Sequence, residues 1–195
     1  MTMKKLTFSL ILSLLFGLTQ AQTNTLDGFL KSKWGSSRTE VKENNADKGY
    51  LYYDGEGSGE NVLIVLEADF AGESDCLIIW KFTSDKLFEG TVLISPDLEA
   101  RAMEQYEEMS SKISGKYGTG ETYESYDYPY EKDDGHWETA FRLGKGNLDT
   151  YWNFDDGNII SMTLTENLSI KVTYQSSDLV REAIREQEAA ISDDL

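Results

Sequence analysis

Tyr126, Tyr128 and Tyr130 alternate with Asp127 and Pro129, and Trp137 follows just beyond the polar run Glu131-Lys132-Asp133-Asp134-Gly135. In an extended chain every second side chain falls on the same side, so this spacing predicts three tyrosine rings on one side, with Pro129 confining the segment to a sheet edge or a loop. Tyr and Trp offer large contact area at low entropic cost and are enriched where proteins meet. Tyr126, Tyr128, Tyr130 and Trp137 are therefore the candidate partner-binding residues, with Tyr123 beside them. The plainer alternative is that the rings cover the end of a sheet and bind nothing, since aromatic residues are common in strands.

The other reactive residue types lead to weaker chemistry. Asp54, Glu56, Ser58 and Gly59 echo the alternating oxygens and turn glycine that open a calcium loop, but the position of the closing bidentate Glu is Val65, so the stretch reads as a hairpin loop. His136 is the sole histidine, and no Ser or Cys is placed by spacing to use it as a base, so it reads as a surface residue at the start of a strand. Cys76 is the sole cysteine, adjoins a strongly apolar run, and reads as a buried, inert thiol. No catalytic residue, metal site or cofactor follows from these patterns.

The element around which the chain is organised is a long helix over residues 95–118. Ser95 fits an N-cap, Pro96 the first helical position, and Asp97 and Glu99 the positive end of the helix dipole. Leu98, Ala102, Tyr106, Met109, Ile113 and Tyr117 recur at three- and four-residue steps as one apolar stripe; Asp97, Arg101, Glu104, Glu108 and Lys112 fall opposite. Gly115 or Gly118 can end it.

Before that helix, Ser37 and Glu40 form a capping box for a short helix over residues 38–48 that stops at Gly49, with Val41 and Ala46 as its thin apolar face. Strands are expected at 50–53, at 61–70 with Val62, Ile64, Leu66, Ala68 and Phe70 inward, at 76–82 covered on both faces, and at 87–94. After it come the Tyr-rich segment 121–130 and strands at 136–143 and 150–154, then Asp155-Asp156-Gly157-Asn158 as a strong hairpin signal between Phe154 and Ile159, and Glu166-Asn167 as a turn before 168–174. A last helix over residues 178–191, capped by Ser177, would dock Val180, Ala183, Ile184 and Ile191. The fold class is α+β: two helix-plus-antiparallel-meander units, about 29–94 and 95–175, packed into one domain over residues 22–195 and followed by the C-terminal helix.

Residues 1–21 carry Lys4 and Lys5, an apolar run and Thr19-Gln20-Ala21, the order of a secretory signal peptide, so the protein is expected to start at Gln22 and to be exported to the periplasm or beyond. No later stretch is apolar enough to span a membrane, and no Cys follows the cleavage point to carry a lipid. The 18 basic and 35 acidic residues give a net charge of −17, which makes nucleic acid and anionic membrane surfaces poor partners and favours a protein with a basic surface. The acids are spread among apolar residues, as on a folded surface.

Trp34-Gly35-Ser36-Ser37 followed by Glu40-Val41 resembles the opening of many small exported bacterial domains, and the doubled helix-plus-meander order resembles the beta-lactamase inhibitory protein and outer-membrane assembly lipoprotein group. The resemblance covers the element order over about residues 29–175 and implies binding to other proteins without catalysis; it transfers no site residues. The chain departs from the lipoproteins in lacking the anchoring Cys. The leading functional reading is an exported, non-catalytic protein-binding module of the envelope or periplasm. A second reading is a carbohydrate-binding protein or hydrolase that uses acids beside Tyr or Trp.

Overall fold

The computed structural model describes residues 24–53, 55 and 59–193. The expected signal segment and Asp54, Glu56 and Ser58 lie outside them. A short hairpin of β1 (Gly28–Phe29) and β2 (Ser32–Lys33) precedes a seven-stranded antiparallel sheet. Its first meander is β3 (Val62–Phe70), β4 (Glu73–Thr83) and β5 (Lys86–Ile94). Farther along the chain come β6 (Glu121–Tyr126) and a second meander, β7 (Gly146–Asn153), β8 (Ile159–Leu164) and β9 (Ile170–Gln175). The spatial order is β3-β4-β5-β9-β8-β7-β6, so the two meanders meet at their last strands, from Glu89 opposite Gln175 to Ile94 opposite Ile170. The two expected units thus share one sheet, and β6 extends it at the far edge.

One face of this sheet is the core. Cys76, Ile78, Trp80 and Phe82 of β4 are buried on it together with Val92, Ile94, Leu148, Trp152, Ile160, Met162, Val172 and Tyr174. Leu77, Ile79 and Lys81 point to the other face and stay half-exposed, so β4 is not covered on both sides as its apolar run predicted. In β3 the inward residues are Leu63, Val65 and Ala68, the opposite phase to that expected for its first half. Residues 62–66 are all apolar and carry no parity; the phase changes at a bulge where Glu67 adopts φ 56°, which returns Ala68 to the core. The expected strand at 50–53 is reduced to a bridge between Tyr52 and Val65.

Helix α1 (Arg38–Asn44) begins at the predicted capping box: Ser37 Oγ accepts from Glu40 N–H, and Glu40 Oε2 accepts from Ser37 N–H at 2.7 Å. It is shorter than predicted, because Ala46–Lys48 form a 3₁₀ turn that Gly49 closes at φ 65°. The buried partner of Val41 is Asn45, and Ala46 is exposed. Helix α2 (Ala102–Tyr117) buries Ala102, Tyr106, Met109 and Ile113 and ends at Gly118, as the stripe predicted.

Its predicted start is wrong. Ser95 still belongs to the end of the sheet, its hydroxyl 3.5 Å from that of Ser169, and Pro96 to Leu98 climb to the helix layer before a 3₁₀ turn at Glu99–Arg101. Leu98 is itself extended, at φ −130° and ψ 121°, so helical backbone begins only after it. Leu98 is left 63% exposed and outside the stripe.

The stretch predicted as a strand at 136–143 is instead helix α3 (Trp137–Arg142), because Trp137, Ala140 and Phe141 fall at helical spacing and turn inward together. Helix α4 (Ser177–Asp193) crosses the sheet face opposite α2: its Glu182 bonds Lys86 at 2.7 Å, and its Glu186 accepts from the hydroxyls of Thr83 and Ser84. Ser177 Oγ donates to Gly157 O and does not cap; Val180 and Ala183 are half-buried as expected, while Ile184 and Ile191 remain exposed. The last turns of α4 therefore carry no docking face of the predicted kind.

Candidate functional site

A cleft of about 650 Å³ opens where α2 leaves the end of the sheet uncovered. Met103, Tyr106, Glu107, Ser110 and Ser111 of α2 form one wall, Thr122, Glu124 and Tyr126 of β6 the other, and Lys132, Asp133, Gly135 and Trp137 close the end over Leu148. The wall residues of β6 are every second residue of the strand, so its alternation aims them at the cleft. Tyr106 anchors the floor: its hydroxyl lies 2.8 Å from Thr150 Oγ1 and donates to Met162 O at 3.0 Å. Burial pushes that phenol up from its ordinary range.

The aromatic part of the cleft is held from behind by Phe141. Tyr126 and Trp137 each set their rings edge-on to it, with centroids 6.1 and 6.3 Å away. Tyr126 also donates to Glu124 Oε1 at 3.1 Å; burial first, and that bond second, push its phenol up to about 12. Lys132 Nζ donates to the same carboxylate at 2.6 Å, and the bond holds the lysine above its usual value. The one cation on these walls among the described residues is thus already paired, whereas Glu107 and Asp133 add negative charge beside the rings.

Of the four candidate binding residues, the structure brings Tyr126 and Trp137 together and separates the other two. The strand stops at Tyr126, and Asp127 to Tyr130 form a turn in which Tyr130 N–H donates to Asp127 O at 3.0 Å. The shared ring face expected for Tyr126, Tyr128 and Tyr130 is therefore absent. Tyr128 is 91% exposed, and Lys145 Nζ donates to its carbonyl at 2.9 Å. Tyr130 is half-buried with Lys145 Nζ 6.0 Å from its ring centre. Tyr123 points to the opposite sheet face, where its ring stands 5.9 Å from that of Tyr151. Sequence reasoning missed Glu107, Thr122 and Glu124; the alternation of Thr122, Glu124 and Tyr126 was the available signal.

The remaining candidates lie elsewhere. His136 is exposed at the start of α3, its N–H donating to Asp134 Oδ1 at 2.7 Å. A bond from Glu131 N–H first, and the one from His136 second, hold Asp134 below the usual carboxylate range. Cys76 is fully buried; burial, then the Glu73 carboxylate, push its thiol up to about 11. Among the described residues no three His, Cys, Asp or Glu side chains stand close enough to share a metal ion, and no helix is long and apolar enough to cross a membrane.

No protein-family model, curated protein or solved structure matches this chain.

Proposed function

We propose that this protein is an exported, non-catalytic binding module that receives a cationic group of a protein partner in the cleft between α2 and β6. The observation that carries the reading is the wall chemistry: Tyr126 and Trp137 beside Glu107 and Asp133, with Lys132 already paired to Glu124. An ammonium or guanidinium group gains from aromatic faces and from carboxylates together, and more so where water is partly excluded. The net charge of −17 adds long-range attraction for a basic surface. The order of signal-like leader and acidic domain, and the resemblance of the 34–41 opening to small exported bacterial domains, support the same reading. Ser110, Ser111 and Thr122 put hydroxyls on the same walls, which is the one feature that favours the carbohydrate reading.

Titration calorimetry with an oligolysine peptide at low ionic strength tests the proposal. Binding is expected, falling as salt is raised, and weakened roughly tenfold by Trp137→Ala and by Glu107→Gln. Absence of binding by the folded wild-type protein refutes it. Salt-independent binding of a neutral oligosaccharide that needs Trp137 selects the carbohydrate reading instead.

A further inference from the structure

The two edges of the seven-stranded sheet are treated differently. At the β3 edge the chain itself lies alongside: Tyr53 N–H donates to Ile64 O at 2.9 Å, Tyr52 bridges to Val65, and bulges break the register beyond. Natural sheets block their edges by such covers and bulges, or with Lys and Pro. The β6 edge has none of these. Its register against β7 runs without a shift from Glu121 opposite Tyr151 to Tyr126 opposite Gly146, it contains neither Lys nor Pro, and no element among the described residues pairs with its outer side.

The direction of its free groups follows from the ladder. Asp127 N–H donates to Lys145 O at 2.7 Å on the β7 side, and across β7 Phe154 N–H donates to Asn158 O at 3.1 Å. In an antiparallel pair the residues that bond one neighbour alternate with those that face away. Counting back from Asp127, residues 121, 123 and 125 face β7, and Thr122, Glu124 and Tyr126 turn their N–H and C=O groups outward. These are the same three residues whose side chains line the cleft.

We infer that the outer edge of β6 pairs with an extended basic segment of the partner protein, which adds to the sheet as a further strand. The inference rests on the cleft reading above and supplies its binding mode. Side chains of the added strand alternate between the cleft, where Glu107, Asp133, Tyr126 and Trp137 receive a cation, and the open face, where Tyr123 and Tyr151 offer rings to an apolar or β-branched residue. A second copy of this chain fits poorly, because Glu121 and Glu124 would meet their own kind on chains that each carry −17.

The probe is a short peptide alternating Lys and Val, with two matched series N-methylated on alternate backbone amides. One series is expected to lose roughly tenfold in affinity and the other to bind like the parent, since only every second peptide amide faces β6. The amides of Thr122 and Glu124 gain protection from hydrogen exchange in the complex. Thr122→Pro, which removes an outward N–H and leaves the β7 ladder intact, weakens the parent peptide to a similar degree; because it also removes the 2.9 Å hydroxyl contact with Thr150, affinity is read well below the melting temperature of the variant, and if it fails to fold, the N-methyl series decides. Equal affinity of both series, or binding without protection at Thr122 and Glu124, overturns edge pairing and leaves the cleft reading standing. No binding of the peptide or of oligolysine overturns both. A dimer whose exchange protection falls on β6 places a second copy there and overturns the inference.

Discussion

Phe29 lies against Gly90 so closely that a β-carbon at residue 90 would overlap the ring. Gly90 is paired with Trp80 on one side and Tyr174 on the other, and Phe29 packs between those two rings with centroids 5.9 and 5.0 Å away. The glycine is a gap in the middle of the sheet, and the residue that fills it comes from the first hairpin. Sheet and N-terminal segment are thereby locked together.

Gly90→Ala is accordingly expected to destabilise the protein by roughly 1–3 kcal/mol through overpacking, and Phe29→Ala by about 3–5 kcal/mol through the cavity it leaves. The two changes share one site, so the double variant should fall short of their sum. Denaturant titration of the three variants measures this; additive losses would show that residue 90 and the ring do not compete for the same space.

The corrected start of α2 gives a second contrast. Ile113 is buried under the helix, whereas Leu98, which the periodicity assigns to the same stripe, precedes the helix and is exposed. Ile113→Ala should cost about 2–5 kcal/mol and Leu98→Ala less than about 0.5 kcal/mol. Thermal melts that rank the two together would contradict the helix boundary at Ala102.

Cys76 provides a pH test. Its folded pKa, about 11, lies above the ordinary value of 9.0, so the unfolded chain loses the thiol proton first. The contribution of the neutral thiol is full below pH 9.0 and is lost as pH rises through about 11. Cys76→Ala should remove that part of the alkaline decline in stability, read by denaturant midpoints across the range. In the native state at neutral pH the thiol should label with maleimide only as fast as the protein opens, because the buried group presents neither access nor thiolate.

The fold class was legible where one physical signal acted alone. The capping box of α1, the stripe from Ala102 to Ile113 and the Asp155–Asn158 turn each depend on neighbours in sequence, and each is found in place. Legibility failed where two signals competed or none was present. Trp137, Ala140 and Phe141 carry a helical period that the surrounding aromatic, β-favouring residues outweighed, and the unbroken apolar run of β3 could not announce a phase or a bulge. Half of the candidate site was legible as an excess of rings. The cleft was not, because its second wall is the unburied side of α2, and that pairing of Glu107 with Glu124 across 17 residues of chain exists only once the helix is laid over the sheet.

Tyr128 and Trp137 now separate function from stability. Both were singled out by the same aromatic excess, yet Tyr128 projects from a turn into solvent, while Trp137 leans on Phe141 and forms part of the cleft wall. Tyr128→Ala should shift stability by less than about 0.5 kcal/mol and leave the affinity for a basic peptide unchanged. Trp137→Ala should weaken that affinity by more than about 1 kcal/mol, as removal of a central aromatic contact does. It should also lower stability, because a half-buried ring loses its packing on Phe141, so affinity must be measured well below the melting temperature of the variant, where the folded fraction is complete. A loss of binding in Tyr128→Ala equal to that in Trp137→Ala would move the contact surface from the cleft to the turn. Unaltered binding by folded Trp137→Ala would remove the ring from the site and leave its packing on Phe141 as its whole role.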